Sequence, residues 1–148
     1  MSHSLEQVHR EMREMIRGVG LRVTSPRLAV LAILHELGAP RTHEQIMAAL
    51  PPGGFDKATV WRILADLHEA GLLRRMDLGD RIWRYELLDA CRTVEADHPH
   101  FLCETCGAVT CLPPLEVRSR EGAVPDALRN AEIQIRVSGT CGACLGKQ

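Results

Sequence analysis

Two CxxC pairs, Cys103/Cys106 and Cys141/Cys144, constrain this chain more than any other feature. They hold four of the six cysteines in 148 residues. In a reducing compartment, pairs at this spacing read as metal ligands before they read as disulfides. Four thiolates suit tetrahedral zinc, and each CxxC turn supplies two of them at the right bite. Gly107 follows the first pair, as a knuckle turn with its amides aimed at sulfur requires. The 34 residues between the pairs exceed zinc-ribbon spacing. The expected role is therefore structural, an ion that staples two ends of a small domain. A CxxC thiol redox protein is the alternative from a different class. It is disfavoured because neither pair is expected at a strand-to-helix start in a βαβ unit.

A second donor group surrounds His98-Pro99-His100. In an extended segment the two imidazoles point to one side and form half of a metal site. Glu86, Cys91 and Cys111 are in range by sequence. Glu86 ends a strand, Cys91 lies in a polar stretch without periodicity, and Cys111 returns from the first CxxC. A regulatory ion held by Glu86, Cys91, His98 and His100, with Cys111 a further candidate, would bridge two halves of the protein. Such an ion can bias one inter-domain angle over another.

The first half reads as helices. Leu5, Val8, Met12, Met15, Ile16 and Val19 recur at helical spacing, closed by Gly18 and Gly20. Ser25-Pro26 predicts an N-cap followed by proline at the first helical position, and Gly38 ends that helix. Thr42-His43-Glu44-Gln45 is a capping box for a short third helix. Asp56 caps a fourth, from about Lys57 to Ala70, with Val60, Ile63, Leu64 and Leu67 as its buried face. Strands are expected over 72–77 and 81–87, around Leu78-Gly79-Asp80. Helices ending in a β-hairpin describe a winged helix-turn-helix. Arg74, Arg75, Arg81 and Arg84 make the wing basic.

The second half reads as mostly strands. A hairpin over 98–112 is interrupted by the first CxxC. Pro113-Pro114 predicts a short helix containing Leu115 and Val117, and 131–137 alternates as a strand. The fold class is α+β. The expected domains are a winged-helix DNA-binding domain over 1–88, a hinge over 89–97 and a zinc-stapled domain over 98–148.

Net charge is −1, which excludes a uniformly basic nucleic-acid coat, so any DNA surface must be a local patch. The candidates are Lys57, Thr59 and Arg62 on the fourth helix, with Trp61 at the backbone. Arg81 on the wing and Arg27 near the start of the second helix are candidate phosphate ligands. A zinc-binding module that does not touch DNA is a further alternative. No apolar run approaches the roughly 20 residues of a spanning helix, and MSHSLEQVHREMREM lacks a signal-peptide core. The expected location is the cytoplasm, with no membrane partner.

These residues carry a resemblance. Gly20-Leu21-Arg22-Val23-Thr24-Ser25-Pro26-Arg27 resembles the opening GLRxTxPR of the ferric uptake regulator (Fur) superfamily. Ala58-Thr59-Val60-Trp61-Arg62-Ile63-Leu64 resembles its ATVYRxL, with Trp61 in the tyrosine position. His98 to Gly107 resembles its HxHxxCxxCG, and Cys141-Gly142-Ala143-Cys144 its closing CxxC. The motifs occur in order over about residues 20–144.

The resemblance implies a metal-responsive transcriptional repressor of metal-uptake genes, not an enzyme. It implies a homodimer on a palindromic operator, with a small C-terminal α/β dimerisation domain. It also implies structural zinc at the two CxxC pairs. His98 and His100 match sensing-site histidines, and Glu86 the acidic ligand ending the wing. The departures are informative. His43 stands about one helical turn from where iron-sensing members carry a histidine. Cys111 stands where an acidic residue often follows the first CxxC. Pro99 and Ile133 occupy positions of a further family site. Sulfur in place of nitrogen and oxygen favours zinc over ferrous iron, and zinc-sensing members use a hinge cysteine, as Cys91 would be. The chain thus most resembles the zinc uptake regulator (Zur) branch, with an iron- or peroxide-responsive regulator as the alternative.

Overall fold

The computed structural model describes residues 5–88, 98–116, 118, 120, 122, 126 and 135–147. The chain divides into two compact units, Met1–Thr93 and Val94–Gln148. Cys91, Val117, Ile133 and the expected hinge over 89–97 lie outside the described residues. No helix among the described residues is long and apolar enough to cross a membrane.

The first unit opens with α1 (Leu5–Gly18) and α2 (Ser25–Leu37). The cap of α2 is Thr24, one residue earlier than Ser25-Pro26 suggests. Thr24 is extended, and its side chain accepts from the Arg27 amide. Proline thus occupies the second helical position, where a missing N–H still costs no intrahelical bond. Gly38 ends α2 at φ 60, a left-handed conformation that suits a residue without Cβ.

A two-residue strand, β1 (Arg41–Thr42), runs into α3 (His43–Ala49), whose capping box forms as expected between Thr42 and Gln45. Asp56 caps α4 (Lys57–Glu69). Val60, Ile63, Leu64 and Leu67 all turn inward from α4. They pack with Met12 and Ile16 of α1, Leu31 and Leu34 of α2 and Ile46 of α3. Each such burial is worth roughly 2 kcal/mol, so one core holds the four helices.

The wing is β2 (Leu73–Asp77) and β3 (Trp83–Leu87), antiparallel with Arg75 opposite Tyr85 and Asp77 opposite Trp83. The sheet order is β1-β3-β2. Two residues are too few to show alternation, so β1 leaves no periodic signal in the sequence. Arg84 departs from expectation. It is 1% exposed rather than part of a basic wing surface. Its guanidinium is clasped by Asp80, Nη1 to Oδ1 at 2.9 Å and Nη2 to Oδ2 at 2.7 Å. A buried guanidinium keeps its charge, and such a partner offsets the cost of taking that charge out of water.

The second unit is a three-stranded sheet in the order β5-β4-β6. It comprises β4 (His100–Cys103), β5 (Val109–Cys111) and β6 (Val137–Gly139), followed by α5 (Gly142–Leu145). β4 and β5 are antiparallel, and β6 runs parallel to β4. Two expectations need correction. Residues 113–116 carry no helix; Pro113 and Pro114 disfavour the helical conformation at the residues before them, Leu112 and Pro113, and hold the entry to this segment extended. Of the strand expected over 131–137, residues 131–134 lie outside the described residues. Ile135 and Arg136 are not in a strand, and pairing to β4 begins at Val137. The partner strand, rather than the alternation of AEIQIRV, sets where β6 starts. The two-unit α+β architecture is a winged helix-turn-helix followed by a small α/β unit.

Candidate metal centres and nucleic-acid interface

The first CxxC lies on the turn after β4, and the second begins α5 directly after β6. Because β6 runs parallel beside β4, with Cys103 opposite Gly139, the two turns emerge at the same end of the sheet. That brings Cys103, Cys106, Cys141 and Cys144 together, with all four sulfurs within 4.8 Å of one another. A zinc–sulfur bond of about 2.3 Å in tetrahedral geometry puts sulfurs roughly 3.8 Å apart. The Sγ atoms of Cys106 and Cys141 are 3.9 Å apart. The residues therefore fit an ion held by four thiolates.

The sulfur cluster is also electrostatically prepared. The Cys141 amide donates to Cys103 Sγ at 3.3 Å. Together with the Cys106 amide it outweighs burial and brings the Cys103 thiol down to about 6. Cys144 is pushed up to about 12 by hydrogen bonds with Cys141 and Cys106 in the crowded cluster. Four thiolates repel one another, and a dication is the group that removes that repulsion. Cys141 is the N-cap residue of α5 and so sits at a strand-to-helix junction. That helix has four residues, and among the described residues no strand follows it, so it is not the helix of a βαβ unit and the redox alternative stays disfavoured.

The second donor cluster in this unit contains His98, His100 and Cys111, whose ligand atoms lie within 4.8 Å of one another. Its cause is strand register. His100 on β4 is directly opposite Cys111 on β5, and the Leu112 amide donates to the Pro99 carbonyl at 2.8 Å, extending the pairing. His98, two residues before His100, turns its ring the same way. The two imidazole centroids are 4.5 Å apart and tilted by 52°. Two nitrogens and a sulfur thus converge on one point. Glu86 belongs to the first unit, on β3 opposite Arg74.

On the first unit, Lys57 and Arg62 are exposed on α4, and Trp61 is 45% exposed. Arg81 is exposed at the wing turn, where its φ is 62 and its amide donates to Asp77 Oδ1 at 3.0 Å. Two candidates are engaged elsewhere. The Thr59 hydroxyl donates to Asp56 Oδ2 at 2.5 Å, and the Thr59 amide to Oδ1 at 2.9 Å. These bonds hold the Asp56 carboxyl below its ordinary range. The Arg27 guanidinium pairs with Asp66 at 2.6 Å and donates to the Arg22 carbonyl at 2.9 Å, tying the start of α2 to α4.

Sequence reasoning did not find two ring arrangements. The Arg75 guanidinium lies 4.3 Å over the Trp83 ring, and His43 stacks on Trp61. The Arg75–Trp83 pair could have been inferred from strand alternation, since Arg75 faces Tyr85 and Trp83 is two residues before Tyr85. The His43–Trp61 pair joins two helices and leaves no local signal.

The chain matches the model of the "Ferric uptake regulator family" over residues 18–136. It is 30% identical over 138 residues to the "Ferric uptake regulation protein" of Haemophilus ducreyi, covering 88% of this chain and 89% of that one. It is 28% identical over 144 residues to the "Peroxide operon regulator" of Bacillus subtilis, covering 94% of each. Among solved structures it is similar to a "zinc-bound manganese uptake regulator", with TM-score 0.67 and 22% identity, over 88% of this chain and 98% of that one. It is also similar to the ferric uptake regulator of Vibrio cholerae, with TM-score 0.62 and 22% identity, over 87% and 98%. At that identity the structural likeness shows a shared fold.

Proposed function

The chain belongs to the ferric uptake regulator family, whose members are metal-responsive, DNA-binding transcription regulators rather than enzymes, and we propose that this member is a zinc-responsive repressor. Structural zinc sits at Cys103, Cys106, Cys141 and Cys144. A regulatory zinc takes His98, His100 and Cys111, with Glu86 and Cys91 as further ligands. It biases the homodimer towards a palindromic operator read by Lys57, Arg62 and Trp61.

The observation that supports zinc is the convergence of His98 and His100 with the Cys111 thiol within 4.8 Å. Sulfur with imidazole prefers zinc to ferrous iron, which favours carboxylate and imidazole. Only the difference in metal affinity between DNA-competent and incompetent states can drive the response. The test titrates binding to the gene's upstream region in buffered free zinc. Affinity should rise with zinc and fall steeply with salt. Equal affinity with and without zinc overturns the reading.

An iron- or peroxide-responsive regulator is the second reading, favoured by the names of the relatives at 30% and 28% identity. Anaerobic titrations with Fe(II), Mn(II) and Zn(II) separate the two. A thiol redox protein instead predicts disulfide reductase activity and no chelator-resistant zinc.

A further inference from the structure

His43 opens α3 and is 5% exposed, one of two polar side chains in the buried set among the described residues. It is absent from both donor clusters found among those residues. Its Nε2 donates to the Lys57 carbonyl at 3.2 Å, which fixes that nitrogen as the protonated one. Its ring lies on the Trp61 indole, with centroids 4.7 Å apart and planes 14° from parallel. Lys57 and Trp61 are four residues apart, on the same face of the first turns of α4. His43 therefore grips α4 twice on that face, once by backbone and once by ring.

The rest of the Trp61 setting explains why a ring is needed there. Tyr85 of β3 meets the indole edge-on, at 6.5 Å and 81°. Tyr85 is 2% exposed and fixed in the sheet. Burial pushes its phenol up, against the neighbouring Arg75. One face of the indole is covered by His43, Tyr85 braces it at a right angle, and 45% of the residue still meets solvent. A filler for the gap between α3 and α4 need only be apolar. A flat ring stacked on a half-exposed indole does something else, because it selects one orientation of a side chain that would otherwise rotate at the surface.

We infer that His43 is a positioning residue for DNA recognition, its ring holding the Trp61 indole in the pose that meets the duplex. The inference rests on the proposed role of Trp61 at the DNA surface. His43 touches no nucleic acid itself. Offset and stacked aromatic pairs are worth enough to change an equilibrium about 3- to 10-fold, which sets the size of the expected effect.

The test uses the full-length, zinc-loaded protein carrying Trp83→Phe. The chain has two tryptophans, so Trp61 becomes the sole indole reporter. The probe is a duplex selected from a random-sequence pool by the unsubstituted protein, with a scrambled duplex as control. His43→Ala should raise acrylamide quenching of Trp61 and weaken the selected duplex about 3- to 10-fold, leaving the scrambled duplex unchanged. His43→Phe keeps a flat ring and should retain both signals. His43→Gln keeps a donor without the ring and should behave as His43→Ala. Native affinity in His43→Ala, or loss in a folded His43→Phe, overturns the inference. Trp61→Ala separates it from its premise. If Trp61→Ala binds the selected duplex at native affinity, Trp61 is not at the DNA surface. If Trp61→Ala is weak while His43→Ala is not, the positioning role alone fails.

Discussion

The Arg84 guanidinium is buried beside the hairpin turn of the wing and is clasped at two points by the Asp80 carboxylate, four residues earlier. Asp80 lies in the turn between β2 and β3 and Arg84 on β3, so a charge that the sequence offers to solvent instead ties the turn to the strand that follows it.

Asp80→Asn should therefore destabilise the first unit by about 3 kcal/mol, because it leaves a buried guanidinium without its counter-charge. Urea unfolding measures this, and a loss below about 1 kcal/mol would show that water replaces the carboxylate. The pH dependence has a definite sign. The hydrogen bond from Arg84 holds the Asp80 carboxyl below its ordinary 3.8. Its contribution is thus fully present above pH 3.8 and is lost as pH falls through the lowered value. The variant should show a flatter acid limb than the parent protein.

Cys141→Ser should unfold the second unit while leaving the first intact. The cluster joins the turn after β4 to the start of α5, and structural zinc of this kind contributes about 10 kcal/mol to folding. Limited proteolysis and metal analysis read the outcome. A second unit that stays protected with one zinc fewer per chain would show that its strands hold together without the ion.

His98→Ala should abolish the zinc response of DNA binding and lower metal content by one ion per chain, with thermal unfolding of both units unchanged. Cys111→Asp replaces the soft donor opposite His100 with a hard one and should shift preference from zinc towards Mn(II) and Fe(II). Retention of zinc preference would remove Cys111 from the coordination sphere.

Arg62 and Arg27 should separate cleanly. Arg62→Ala should weaken operator binding by about 1–3 kcal/mol. Arg27→Ala breaks the pair with Asp66 and should cost at most about 1 kcal/mol of stability, with the smaller effect on DNA. Fluorescence anisotropy in parallel with unfolding curves distinguishes the two. The reverse order would place Arg27 on the duplex.

Much of the helical half was legible because its signals are local. The Thr42–Gln45 box, the Asp56 cap and the Gly38 stop each lie within a few residues of the helix end they set. The four inward residues of α4 follow from one period. The cysteine cluster was legible for a different reason, since its donors are chemically distinctive wherever the chain brings them. Arg84 misled because alternation reports which residues share a face of a strand, not whether that face is wet. The start of β6 was misplaced because strand ends are set by the partner's register.

Short-range spacing alone determined the capped helices and the hairpin wing, because each depends on groups near one another in the chain, and residue type alone determined the sulfur and imidazole donors, because their chemistry does not depend on where the chain brings them. Tertiary structure decided that β1 would join the wing sheet and that His100 would face Cys111. It also decided that Asp80 would disarm Arg84 and that His43 would lie on Trp61. Those relationships depend on how elements pack and register against one another, and such packing is set by the whole core rather than by any single stretch of chain.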